Sequence, residues 1–207
     1  MSEAASASGR DPVDAFTALV AERGYAGVSL RDVAQEAGLA FSELYRRYRD
    51  KPALIAAFMA RVDAEVLDGT PRQGDPEETA RDRLFDVMMR RYDALKPHRE
   101  FLRQLRQPML SDPILALSLA PALRRSSAAM LEAASIPSDG LAGAVQQNGL
   151  AALHLAVSRV FYGDESGDLS KTMAALDSRL KSAERWIQVF EKYRPLGRSR
   201  MPEAAAS

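Results

Sequence analysis

A chain of 207 residues with 46% hydrophobic and 27% charged residues has room for one large domain, or a small one beside a medium one, around an ordinary core. Its 28 Lys and Arg balance 28 Asp and Glu, so overall charge predicts no polyanionic partner, and with no cysteine there is no disulfide framework, thiolate metal site or thiol nucleophile. The opening MSEAASASGRDP lacks the apolar core of a signal peptide and no stretch approaches membrane-spanning length free of charge, which predicts a cytoplasmic protein without a membrane span.

Residues 1–9 are small-residue, low-complexity sequence and are expected to be disordered. From Asp11 or Pro12, Val13, Phe16, Ala18, Leu19 and Val20 form a helical stripe that Gly24 stops. After a short connection, Ser29 to Lys51 reads as two short helices around a tight turn. Ser29 and Asp32 have capping-box spacing, and Val33, Ala34 and Ala37 share a face. Gly38 supplies the left-handed residue that ends the first helix, and Leu39 can fill the crevice behind it. In the second helix, from Phe41 or Ser42, Leu44 and Tyr48 point inward, leaving Ser42, Glu43, Arg46, Arg47 and Arg49 outward. This is a helix-turn-helix.

Pro52 opens a long helix through Leu54, Ile55, Phe58, Met59, Val62, Val66 and Leu67, and GTPRQGD from Gly69 is a linker. Asp75-Pro76, with Glu78 at capping-box spacing, predicts the start of a helix among the longest in the chain. Its inward side is Leu84, Phe85, Met88, Met89, Tyr92 and Leu95, and Pro97 ends it. A shorter segment, His98 to Met109, turns Phe101, Leu102 and Leu105 inward, and Asp112-Pro113 starts the next helix, which Pro121 should bend or break before Ser135. Leu141 to Tyr162 carries Leu150, Leu153, Val157, Val160 and Phe161 at helical spacing, and Asp168 to Tyr193 carries Leu169, Met173, Leu176, Leu180, Ala183, Ile187 and Phe190. Nothing alternates with period two, so the expected class is all-α. The expected division is a head at 10–51, a linking helix at 52–68, a body at 69–194 and a tail at 195–207.

The run Ala37-Gly38-Leu39, then Leu44-Tyr45, Tyr48, Lys51 and Leu54-Ile55, resembles the TetR family of one-component bacterial regulators over about Val28 to Ile55. The resemblance implies a three-helix DNA-binding head on a larger helical body that binds a ligand and dimerises, with about nine helices in all. It implies base contacts from Arg31, Phe41, Ser42, Arg46 and Arg47, and phosphate contacts from Ser29, Tyr45 and Lys51. An arginine fork is shaped for the guanine edge in the major groove. Two heads about 34 Å apart would read a palindromic operator in double-stranded DNA.

One departure is Glu43, which stands where the family commonly has a small hydroxyl residue. A carboxylate there either accepts from a cytosine amine or pairs with Arg46 or Arg47. From Arg10 to Arg61 the head carries eight Lys or Arg against seven acids, a weak electrostatic footprint. The stretch from Arg81 to Leu105 is similar to regions of TetR-fold accessory proteins that carry lipid in ubiquinone biosynthesis without binding DNA, which is the alternative function.

In the body the resemblance implies a pocket for a small apolar effector. The candidate lining is Phe85, Met88, Met89, Tyr92, Phe101, Leu105 and Met109, with Leu119, Leu123, Leu153, His154, Val157 and Phe161; an ordinary core would use the same residue types. Ala142, Val145, Leu155 and Ala156 lie off the main stripe of their helix, so a second apolar face awaits cover, and the resemblance assigns it to a homodimer. Two separated histidines with no matched carboxylates form no metal set, and His154 and Ser158 have neither an oxyanion hole nor an orienting acid. Neither cofactor nor catalysis is expected.

Overall fold

The computed structural model describes residues 9–71 and 78–193, the last ten by backbone alone. Among the described residues there is no strand. The helices are α1 (Pro12–Arg23), α2 (Leu30–Glu36), α3 (Phe41–Arg47), α4 (Lys51–Asp68), α5 (Ala80–Leu95), α6 (Arg99–Ser111), α7 (Pro113–Ala133), α8 (Gly140–Phe161) and α9 (Ser170–Tyr193), with a 3-10 turn at Lys96–His98 between α5 and α6. The expectations for the N-terminal tail through Ser8, most of the GTPRQGD linker, the Asp75-Pro76 cap, the Ile187 and Phe190 side chains and the C-terminal tail lie outside the described residues.

The head is set by its helix ends. Asp11 caps α1 through the Val13 and Asp14 N–H groups, and Gly24 closes it at φ +74°. Ser29 Oγ accepts from the Asp32 N–H while Asp32 Oδ2 accepts from the Ser29 N–H at 2.8 Å, so the capping box is present in full. Gly38 at φ +67° turns the chain, and the Leu39 N–H reaches back to the Ala34 carbonyl at 2.9 Å. Val13, Phe16, Val20, Val33 and Leu44 meet in one core with Leu54 of α4.

The linking helix α4 is the strut between head and body. Its face of Leu54, Ile55, Phe58, Val62 and Val66 is buried, whereas Leu67, expected inward, is 41% exposed on the far side of its last turn. The second half of the chain packs α5 and α7 against this strut, with α8 on α7, α6 against α1 and α7, and α9 against α5 and α8. Phe16 of α1 meets Phe101 of α6 edge-on at 5.8 Å, and Phe101 meets Phe58 of α4 at 5.0 Å. An aromatic ladder thus joins head, strut and body.

Several boundaries and faces differ from expectation. Helix α5 starts at Ala80, capped by Thr79 and reinforced by Asp82, and its 16 residues make it shorter than α4, α7, α8 and α9. Helix α7 runs unbroken through Pro121, which lies on its exposed side. Val160 and Met173 are 37% and 42% exposed, because the buried arc of α8 runs through Leu150, Val157 and Phe161 and that of α9 through Leu169, Thr172, Leu176 and Leu180. Asp164 is fully buried: its Oδ2 accepts from both the Thr172 N–H and hydroxyl at 2.7 Å, tying down the start of α9.

Gly143 marks the closest backbone approach in this region. A Cβ there would lie 2.0 Å from the Ser138 carbonyl oxygen, which the loop before α8 folds over it. Gly143→Ala is therefore expected to destabilise the protein by about 2 kcal/mol in urea unfolding at fixed protein concentration, because the obstacle is backbone and not a movable side chain.

Candidate functional site

The outer surface of the helix-turn-helix is made by α2 and α3. Arg31, Phe41, Ser42, Tyr45, Arg46 and Arg47 are all exposed there, and the Arg31 guanidinium stacks 4.7 Å from the Phe41 ring centroid. Glu43 is half-buried and accepts from Arg47 Nη2 at 2.8 Å, while Arg46 Nε turns back to the Ser42 carbonyl. Of the three expected phosphate contacts, Tyr45 is open to solvent. Ser29 Oγ is committed to Asp32 at 2.6 Å, and Lys51 Nζ donates to the Tyr25 and Val28 carbonyls at 2.7 and 3.0 Å above the Tyr25 ring. Partial burial holds the Lys51 ammonium below its usual range, and the hydroxyl and N–H of Ser29 hold Asp32 below the usual carboxylate range.

The near-zero balance of the head hides an uneven arrangement. Glu36 pairs with Arg10, Asp11 and Asp14 with Arg61, Glu22 with Arg23, and Glu43 with Arg47, while Asp32 and Asp50 are helix caps. Arg31, Arg46 and Arg49 have no carboxylate partner among the described residues. The uncompensated positive charge is therefore concentrated on the helix-turn-helix.

In the body a cavity of about 270 Å³ lies between α4, α5, α6, α7 and α8. Of the expected lining, Leu105, Met109, Leu119, Leu123, His154 and Phe161 border it. Phe85, Met89, Tyr92, Phe101, Leu153 and Val157 do not; they pack helix against helix around it. Met88 borders a separate void of about 10 Å³, enough for one water. Sequence reasoning missed the wall that α4 supplies, Ile55, Phe58 and Met59, and the polar residues Arg91, Ser158 and Tyr162. A signal for Arg91 was present: three residues after Met88 and four before Leu95, it falls on the inward stripe of α5.

The comparisons agree with this geometry. Residues 13–58 match the family of bacterial regulatory proteins known as the tetR family. The match spans the head and the first turns of α4. The chain as a whole has the fold of the solved TetR transcriptional regulator from Nitrosomonas europaea ATCC 19718, with TM-score 0.66 and 24% identity over 84% of this chain and 96% of that one. A TetR transcriptional regulator from Rhodococcus sp. RHA1 is similar at TM-score 0.52 and 24% identity, covering 82% of this chain and 92% of the other. A TetR family member from Streptomyces coelicolor A3 is similar at TM-score 0.52 and 22% identity, covering 81% and 95%. No curated protein matches the chain in sequence. Among the described residues of this TetR fold, no helix is long and apolar enough to cross a membrane.

Two hydrogen-bonded groups stand at the polar side of the cavity, one reaching its wall through Arg91 and the other through His154. Buried Arg91 of α5 donates from Nη1 to Asp63 of α4, whose Oδ1 also accepts from Ser126 of α7 at 2.7 Å. The Tyr92 hydroxyl lies 3.1 Å from His154 Nδ1, with the two rings stacked at 5.5 Å. Burial first and the Arg91 charge second push the His154 imidazole from 6.5 down to about 3, and burial pushes the Tyr92 phenol up. Both are neutral at neutral pH.

A linkage follows for His154. Above pH about 6.5 the imidazole is neutral in both folded and unfolded chains; as pH falls toward about 3 only the unfolded chain takes up its proton. Stability should fall over this window, with up to about 1.4 kcal/mol per pH unit from this one group. Urea unfolding of His154→Gln is expected to show a shallower acid slope than the parent between pH 6.5 and 4.5, and an unchanged slope would contradict the assignment.

Proposed function

We propose that the chain is a DNA-binding transcriptional regulator, a repressor that two copies form together and that a small effector in the body cavity releases. The observation that carries this reading is the concentration of Arg31, Arg46 and Arg49 on the helix-turn-helix, while every acid of the head is held in an ion pair or a cap. In the major groove, Arg46 and Arg47 would exchange the Ser42 carbonyl and the Glu43 carboxylate for base edges. Phe41 would offer its ring to a thymine methyl, and Tyr45 with Arg49 would flank the phosphates. The TetR regulators of similar fold support the same reading.

Pairing is supported by apolar side chains that this subunit leaves uncovered. On α8, Leu141, Val145 and Leu155 are 85%, 66% and 47% exposed, with Met173 of α9 nearby in the same helix pair. A second copy brought against α8 and α9 would bury them and place two recognition helices on one side of the DNA.

Release is supported by the shared wall. Ile55, Phe58 and Met59 belong to the same helix whose N-terminus, through Lys51, carries the turn between α1 and α2. An occupant that displaces Phe58 moves Phe101 and, through it, Phe16 of α1. The two heads then lose the spacing that an operator requires.

The test is fluorescence anisotropy with DNA from upstream of the chain's own gene, across a salt series. We expect tight binding with a steep linear fall of log affinity against log salt. Arg46→Ala with Arg47→Ala should weaken binding at least about tenfold with helicity unchanged, the order of one lost bidentate base contact or more. Glu43→Gln, by freeing Arg47 and removing an anion, should tighten it. No binding at low salt by a folded, dimeric protein would overturn the reading in favour of a lipid-binding accessory role.

A further inference from the structure

The cavity has an apolar body and one polar wall, and the charges of that wall cancel. Among the described residues Arg91 is the only lining side chain that carries a full charge, and Asp63 behind it supplies the balancing anion while also holding Ser126. The rest of the polar wall, His154, Ser158 and Tyr162, is uncharged at neutral pH. The apolar lining includes Phe58, Leu102, Leu105 and Leu119.

We propose that the cavity receives a neutral amphiphile with one oxygen function, an alcohol, phenol or ketone, whose oxygen meets the Arg91–His154–Ser158–Tyr162 wall and whose hydrocarbon part lies against α4, α6 and α7. This deepens the effector reading and rests on it only in taking the cavity for a ligand site. The size follows from volume: a dry cavity of about 150 Å³ holds benzene, so about 270 Å³ corresponds to about eleven non-hydrogen atoms. The hydrocarbon part supplies the affinity and the oxygen fixes the orientation.

Charge decides the class. A carboxylate here would stand beside Asp63 with one guanidinium shared between two anions. An ammonium would confront the Arg91 charge with only neutral groups to solvate it. A neutral oxygen accepts from the guanidinium or a hydroxyl without disturbing the Arg91–Asp63 pair. The rim at Ala120 of α7 is open to solvent, so entry needs no unfolding.

The experiment uses the full-length protein and three probes with the same ten-carbon chain, 1-decanol, decanoate and decylammonium, titrated calorimetrically at pH 7.5. The expected result is one decanol per chain, with decanoate and decylammonium at least tenfold weaker. Ala120→Leu, which narrows the rim at an exposed position, should weaken decanol binding at least tenfold. Equal or tighter binding of either ion, no decanol binding, or decanol affinity untouched by Ala120→Leu would overturn the proposal. DNA binding of the same preparation is read separately. Decanol binding without DNA binding would sink the regulator reading and leave the ligand class standing, and DNA binding without decanol binding would do the reverse.

Discussion

The buried ion pair between Arg91 of α5 and Asp63 of α4 is the constraint on which the geometry of the molecule turns. Asp63 also accepts from Ser126 of α7, so one carboxylate locks the strut to two body helices. Such a pair contributes little net stability beside a well-packed apolar replacement, yet removing one partner costs about 3–5 kcal/mol because a buried charge is left alone. Its role here is orientation. It specifies the rotation of α4 about its axis, and with it which side chains, Ile55, Phe58 and Met59, line the cavity. At the other end Lys51 does the equivalent for the head by gathering the Tyr25 and Val28 carbonyls.

Between these two anchors α4 belongs to both halves of the molecule, so the cavity and the helix-turn-helix share one helix. The Phe16–Phe101–Phe58 ladder gives a second, parallel route through α6. Packed aromatic contacts of this kind do not deform smoothly; an inserted group must move the next ring. The same logic explains the head's electrostatics. Its acids are not dispersed repulsion against DNA. They are consumed as caps and as partners for Arg10, Arg23, Arg47 and Arg61, so a near-zero sum is compatible with a positive outer surface.

Much of the head was legible in the sequence because its determinants are local. The Ser29–Asp32 capping box, the left-handed Gly38 and the Gly24 stop each depend on residues within a few positions, and each forms as its spacing implies. The all-helical class followed from periodicity for the same reason. What was not legible depends on neighbours. Periodicity says that Leu67, Val160 and Met173 are apolar but not that their helices are already covered on another arc. The true cap at Thr79 competed with a stronger-looking Asp75-Pro76 signal. A cavity is the space left by five helices, so residues chosen for apolar character, such as Phe85, Leu153 and Val157, could as easily fall behind the wall as in it. Pro121 was expected to bend or break α7, and it does not break it, because a helix held by tertiary packing tolerates the lost hydrogen bond on an exposed side.

In the proposed function the state of the cavity sets the state of the head through α4. The most direct measurement is operator affinity of Met59→Trp, which puts a larger side chain from α4 into the cavity without touching the helix-turn-helix. Met59→Trp is expected to remain folded and dimeric but to bind DNA at least tenfold more weakly than the parent. Unchanged or tighter binding, with the indole shown by its fluorescence to be buried, would contradict it.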